Sequence, residues 1–381
     1  MFFRTFSRFA AALLIAALAS FAQAQNPPAP VVNARAWLLI DMSSGQVLAS
    51  QNPAERVEPA SLTKLMTAYL SFSALRAKTI TLEQAVPVSE KAWKAIGSRM
   101  FIEPRKPVTV AELLRGMIVQ SGNDACIALA ELISGSEEAF AEAMNREARR
   151  LGMKSTSFRN STGLPDPQHY TTAEDLALLA QAIIRDFPEF YSLYSMKEYS
   201  YNNITQSNRN RLLWLDPNVD GMKTGFTDAA GYCLISTAKR GPRRLLSVLL
   251  GAQSESSRAT ESQKLLNFGF LNYDAVRLYE KGQSVSALEV WKGSTRELKA
   301  GFDRDLFVTV PKGQGERVKA TLLAQKPLIA PIAQNQAVGS VKVTIDGREI
   351  ASFPVRALEA VGTAGVFGRA IDTVRLWFSK S

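Results

Sequence analysis

Three short strings carry residue types that could do chemistry together: Ser61-Leu62-Thr63-Lys64, Ser121-Gly122-Asn123 and Lys223-Thr224-Gly225. In that order they supply a nucleophile beside a base, a second hydroxyl beside an amide, and a cation on a glycine-ended cradle. None uses histidine, and the chain has only one, His169. A Ser-His-Asp hydrolase would have to route every proton through that residue, whereas a serine–lysine enzyme would not. On a helix, Ser61 and Lys64 at i and i+3 share a face, so the amine can approach the hydroxyl. A lysine base must be neutral, and at a reference pKa near 10.4 neutrality at pH 7 costs roughly 4–5 kcal/mol. Burial and a neighbouring cation both reduce that cost. Lys223 is the expected neighbour, so Lys64 and Lys223 should face each other across a cleft, one neutral and one charged, with coupled titrations. Ser121 would pass the proton to a leaving amine, and the Asn123 amide would hold a substrate peptide group. Gly225 would let an extended substrate lie close along a strand edge.

Each string is weak alone. A Ser-x-x-Lys should arise by chance roughly once or twice in a chain this long, and Ser236-Thr237-Ala238-Lys239 is a second instance. That second one falls in a β-rich run, where an offset of three puts side chains on opposite faces. Singly, Ser61 after Pro59 reads as a helix cap, Ser121-Gly122-Asn123 as a turn between helices, and Lys223-Thr224-Gly225 as a loop. Order, spacing and local context together make the case for chemistry.

The elements that must position these strings are legible in outline. Ala36 to Asp41 and Gln46 to Ser50 flank Ser43-Ser44-Gly45 as a hairpin. A helix fits Ser61 to Leu70, and Thr109-Val110-Ala111-Glu112 is a capping box opening another towards Val119. Helical patterns follow at Asp124 to Ile133, Glu137 to Leu151 and Ala173 to Ile184. Past Lys223, Gly231 to Lys239 and Arg243 to Leu250 read as strands joined through Gly241-Pro242, and a helix covers about Ser257 to Leu271. Strands at both ends with helices between them predict an α/β sandwich around one antiparallel sheet. From about Val285 a small all-β domain is expected, with Asp346-Gly347 as a hairpin turn.

Composition sets the bounds. The chain has 381 residues, 46% of them hydrophobic, enough for one large core and a smaller unit. Residues 1–24 read as a secretion signal, with Arg4 and Arg8, an apolar run, and Ala22-Gln23-Ala24 as the cleavage site; a membrane-spanning anchor would need about 20 apolar residues. The domains expected after it are 25–284, 285–361 and a tail, 362–381. The two cysteines, Cys126 and Cys233, sit in apolar runs and read as buried thiols, and no metal site is expected. Net charge is +10, which suits anionic lipid or acidic wall polymer; the basic residues are scattered, with no clustered arm to favour nucleic acid.

The tail is amphipathic. Val366, Phe367, Ala370, Ile371, Val374, Trp377 and Phe378 share one helical face, Arg369, Asp372, Arg375 and Lys380 the other, and Leu376 is off the pattern. Such a helix either lies in a membrane interface or packs on the β domain; its terminal position after Gly362 and Gly365 favours the interface, with anionic lipid as partner.

The three strings resemble the active-site signature of penicillin-binding proteins and serine β-lactamases, whose middle string is commonly Ser-Asp-Asn. The Ser-Gly-Asn form is similar to that of low-molecular-mass D-alanyl-D-alanine carboxypeptidases, and the resemblance extends through Asn218-Val219-Asp220-Gly221, the β domain and the tail. It implies a transpeptidase-like α/β domain and an exported, periplasmic enzyme attached peripherally to the outer face of the inner membrane. It implies no cofactor, peptidoglycan stem pentapeptides as substrate, and β-lactam antibiotics as acylating inhibitors. It further implies an oxyanion site at the backbone N–H groups of Ser61 and Phe226, where many relatives have histidine at the Phe226 position. By the same resemblance Arg258 helps Thr224 hold the terminal carboxylate and Arg209 lies near the site, although each also reads as a surface cation. His169 reads as a loop residue within reach of substrate. A β-lactamase is the nearest rival, needing a loop glutamate; Glu174 is the only one between Gly163 and Asp175, and helix capping explains it. The same residues also admit a DD-endopeptidase and a non-catalytic wall-binding scaffold.

Overall fold

The computed structural model describes residues 27–378; the expected secretion signal lies outside them. The site is carried by an antiparallel sheet of five strands, in the order Gln46–Gln51, Ala36–Asp41, Arg243–Ala252, Gly231–Arg240 and Val219–Thr227. Ala36–Asp41 is buried along its whole length because both sheet faces are covered. Leu38 and Ile40 enter the larger core with the helices, while Trp37 and Leu39 point the other way, onto Leu265 and Leu266 of the helix Glu255–Asn272. This is the period-two alternation of a strand sandwiched between two helical layers. The strand carrying Lys223 is the sheet's edge, so one of its sides remains open to a cleft. The rival Ser236 lies buried in the next strand, paired with Met222, out of helical register with Lys239.

The helices Val110–Val119, Asn123–Ser134, Glu137–Arg150, Ala173–Asp186 and Glu255–Asn272 fall within two residues of the expected bounds. The Thr109 capping box forms: its hydroxyl accepts from Glu112 N, and its N–H donates to the Glu112 carboxylate at 2.8 Å. The nucleophile segment differs from expectation. Ala60–Thr63 is a 3-10 turn that passes into the α-helix Lys64–Arg76, and neither start has a side-chain cap. Side chains at i and i+3 eclipse in a 3-10 turn, which stacks Lys64 over Ser61.

The β-rich unit starts earlier than Val285. Tyr273–Tyr279 follows the last catalytic-unit helix directly and pairs with Leu306–Pro311; Asp274 and Arg277 blur its alternation in sequence. A sheet of six strands completes the unit. Its hairpin Ala337–Ile345 to Arg348–Ala357 turns on Asp346 (φ +49°) and Gly347 (φ +82°), the doubly left-handed geometry that a two-residue β-turn needs. The unit meets the catalytic sheet through Ser44 Oγ and Thr309 Oγ1, 2.7 Å apart.

The helix Val366–Phe378 sits on this unit by its polar side. Asp372 accepts from the Lys292 N–H at 2.7 Å, and Leu376, off the apolar stripe, lines a cavity with Trp291, Leu322 and Leu328. The stripe itself faces outward, with Phe367 88% and Trp377 75% exposed. Among the described residues no helix is long and apolar enough to cross a membrane.

Candidate active site

All three strings meet at one cleft of about 360 Å³. Lys64 is buried, with its Nζ 2.9 Å from Ser61 Oγ and donating to the Thr162 carbonyl at 2.6 Å. That carbonyl is held in place. Glu137 accepts from both the N–H and the hydroxyl of Ser161, Thr67 donates to the Ser161 carbonyl, and Asn160 accepts from the Gly163 N–H. Gly163 has φ +85°, and a Cβ there would stand 1.8 Å from the Ala60 oxygen. Only glycine therefore lets this segment lie against the nucleophile turn.

Opposite, Lys223 Nζ donates to Ser121 Oγ at 3.0 Å and to the Thr224 carbonyl at 3.2 Å. Ser121 is itself left-handed, φ +66°, in the short turn between two helices, a conformation that costs a non-glycine residue of order 1 kcal/mol. Asn123 donates through Nδ2 to the Ile96 carbonyl at 2.7 Å and through its backbone to Ser98 at 2.6 Å. The loop it binds is clasped by the neighbouring Asp124, whose carboxylate accepts from the N–H groups of Met100, Phe101 and Ile102.

Burial draws charge out of both amines. It brings Lys64 down to about 8, with buried Cys126 acting against the shift and Arg209 adding to it. Lys223 falls well below its ordinary value, through burial first and then Lys64 and Arg209. The expected mutual effect of the two amines is present, since the Lys64 charge lowers Lys223, but burial comes first at both because each is enclosed by protein, and Arg209 adds to the shift at each.

Gly225 lines the cleft and has a second job besides. A Cβ there would meet Ala60, Leu62 and the Pro59 carbonyl, each at 3.2 Å, so the missing side chain lets the edge strand approach the nucleophile turn. Arg209 and Arg258 both line the cleft, as do Thr224 and Phe226. Arg258 is buried, and its Nη2 donates to the Arg209 carbonyl. The Phe226 ring is half exposed and packs on Tyr232, centroids 4.4 Å apart.

His169 does not reach the cleft. It is buried, with Nε2 3.0 Å from Thr63 Oγ1 and its ring edge-on to Phe158; burial pulls it down to about 4, so it is neutral at pH 7. Substrate contact by His169 is excluded by this position behind the nucleophile turn. Cys126 and Cys233 are free, buried thiols. Among the described residues no cluster of side chains could hold a metal ion. Sequence reasoning missed Tyr232, Glu255, the Thr162 carbonyl and the Asp124 clasp. Among the described residues Glu255 is the only carboxylate lining the cleft, and it lies 3.5 Å from both Arg211 and Arg258.

Residues 22–254 match the D-alanyl-D-alanine carboxypeptidase family, and residues 273–363 match the C-terminal domain of penicillin-binding protein 5. The chain belongs to the D-alanyl-D-alanine carboxypeptidase family. It is 43% identical to the D-alanyl-D-alanine carboxypeptidase DacC of Escherichia coli over 97% of this chain and 94% of that protein. To the DacA carboxypeptidase of Haemophilus influenzae it is also 43% identical, over 90% and 89%. Among solved structures, penicillin binding protein 5 from Haemophilus influenzae superposes with a TM-score of 0.85 at 42% identity, covering 88% of this chain and 99% of that one. The ampicillin-bound form of penicillin-binding protein D2 from Listeria monocytogenes matches at 0.59 and 30% identity, over 64% of this chain and all of that one. The family members thus share the two-unit architecture, and the shorter relative matches over a length close to the catalytic unit alone.

Proposed function

We propose that this serine D-alanyl-D-alanine carboxypeptidase uses Ser61 as nucleophile, Lys64 as general base and Ser121 as proton relay. Ser61 attacks the carbonyl of the penultimate D-alanine of a peptidoglycan stem pentapeptide while Lys64 takes its proton. Ser121 passes a proton to the departing D-alanine amine, and water releases the acyl-enzyme. The oxyanion rests on the backbone N–H groups of Ser61 and Phe226. Asn123 Oδ1 accepts from a substrate N–H, the strand from Lys223 through Gly225 to Phe226 supports the peptide, and Arg258 with Thr224 and Arg209 takes the terminal carboxylate. The observation that carries this reading is the Lys64 amine 2.9 Å from Ser61, stripped of solvent.

The same nucleophile is open to acylation by β-lactams. The placement of the carboxylates supports a carboxypeptidase over a β-lactamase: Glu174 is exposed at a helix start and does not line the cleft, and Glu255 is tied to two arginines. The outward apolar stripe of the terminal helix supports peripheral attachment to anionic lipid on the outer face of the inner membrane, after export by the N-terminal signal.

Mass spectrometry of protein incubated with labelled penicillin tests the core of the reading. A long-lived adduct on Ser61, absent from Ser61→Ala, is expected together with D-alanine release by the wild type; an adduct elsewhere overturns it. Truncation after Val361 should leave activity on soluble peptide intact and abolish flotation with anionic vesicles, and retained flotation would refute the anchor.

A further inference from the structure

The edge strand that carries Lys223 holds one residue more than its ladder uses. Val219 stands opposite Ala238, yet Gly221 stands opposite Thr237, so Asp220 is a bulge with no partner across the ladder. That extra residue decides where the rest of the strand points. Lys223 lies opposite Ile235, whose side chain enters the core shared with the helices. Had the pairing of Val219 with Ala238 run on without a bulge, Lys223 would lie opposite Leu234, which enters the other layer with Leu265 and Leu266. A slip of one residue moves a strand's whole set of side chains to the other face, and an amine so placed would point away from Ser121.

The bulge is held by its own side chain. Arg244, two strands in from the edge, donates through Nη1 and Nη2 to the two Asp220 carboxylate oxygens, both at 2.6 Å. Thr237, on the strand between, donates to Oδ1 at 2.8 Å. The Tyr191 hydroxyl, from the turn Tyr191–Ser195, bonds to Thr237 and lies 3.3 Å from the same carboxylate oxygen. The Arg244 guanidinium also stands over the Tyr191 ring, 5.1 Å from its centroid. A two-pronged guanidinium–carboxylate pair fixes direction as well as distance, so the edge strand is tied at its bulge to both inner neighbours and to the helical side. The described lining of the cleft includes none of these four residues.

Resting on the relay role proposed for Lys223 and Ser121, we propose that Asp220, Arg244, Thr237 and Tyr191 are positioning residues that lock the bulge and thereby hold Lys223 in register with Ser121. They touch no substrate. With the clamp opened, the bulge is free to shift along an edge strand that has no outer neighbour to restrain it, and fewer molecules keep Lys223 opposite Ile235. The local pair of Ser61 and Lys64 is untouched by such a shift.

Penicillin acylation of the full chain, followed beside thermal unfolding, tests the clamp. Arg244→Ala and Asp220→Ala should each slow acylation about tenfold, and Tyr191→Phe, which removes one hydroxyl, about threefold. Arg244→Lys should restore little, because an ammonium does not span both carboxylate oxygens. In a Lys223→Ala background the same three changes should each cost less than about twofold, since an amine that is absent cannot be misplaced. Arg243→Ala is the matched control: it removes the neighbouring ion pair to Asp41, at 2.6 Å on the strand Ala36–Asp41. It should lower the melting temperature as much as Arg244→Ala and leave acylation within about twofold. Losses that multiply in the double variants, losses that Arg243→Ala reproduces, or an Arg244→Ala protein that acylates at the wild-type rate would each overturn the clamp alone. A Lys223→Ala protein that acylates at the wild-type rate overturns the relay reading and the clamp with it.

Discussion

On one wall of the cleft Lys64 stands 2.9 Å from Ser61, three residues away along the chain; on the facing wall Lys223 stands 3.0 Å from Ser121 across a sequence separation of 102. The first pair is made by a single 3-10 turn and survives as long as that turn does. The second needs an edge strand, a left-handed serine and a loop clasped by Asp124 to be correct together. Burial lowers both amines: the local one is brought down to about 8, and the distant one well below its ordinary value, with its neighbour Lys64 adding to the effect. This division suits the proposed roles: a base must stay aligned with its nucleophile through the whole cycle, which a single local turn secures, whereas a relay has only to be aligned when substrate bridges the walls, which packing between elements allows.

The sharpest way to break this contrast is to remove each amine in turn. Lys64→Ala should lower penicillin acylation by about 10⁴-fold, read by stopped-flow or mass spectrometry, and Lys64→Arg should not rescue it because a guanidinium does not give up its proton. Lys223→Ala should cost about 10²-fold in the same assay; equal losses would erase the distinction between base and relay. Acylation should also rise with pH. A lysine at about 8 is the active base only when neutral, so the rate constant should climb about fifty-fold from pH 6 to pH 8 and level off above that. A flat profile over that range would remove Lys64 as the titrating base. The smallest effect tests the contact between the walls: Gly225→Ala meets Ala60, Leu62 and Pro59 at 3.2 Å, so the nucleophile turn must give by a few tenths of an ångström. Acylation should fall about tenfold, with an unchanged circular dichroism spectrum.

The parts of this molecule that were legible in advance have residue-type signatures of short range. Thr109 and Glu112 announce their helix because the capping box is a four-residue object, and Asp346-Gly347 announces its hairpin because few residues tolerate two left-handed positions. The Ser61–Lys64 pair belongs to the same class. Tyr273–Tyr279 escaped because its partner strand is distant and its own alternation is broken by charge. Thr162 escaped because the group that holds Lys64 is a main-chain carbonyl, which every residue possesses. The roles of Gly163 and Gly225 escaped because what matters there is the absence of an atom from a contact between remote segments. Tyr232 and Glu255 gave no sign of the cleft, since their relation to it is a matter of which surfaces end up adjacent.

The chain by itself determined the inventory: a serine and a lysine one turn apart, a second serine with an amide, a second lysine on a strand, and an amphipathic end. These follow from side-chain identity and from backbone periods of two and of about 3.6 residues, which act within a few positions. Folding decided the electrostatics. How far each amine is stripped of water, which cation stands near it, and where the cleft lies depend on segments remote in sequence being pressed together, and desolvation is a property of that enclosure, not of any one residue.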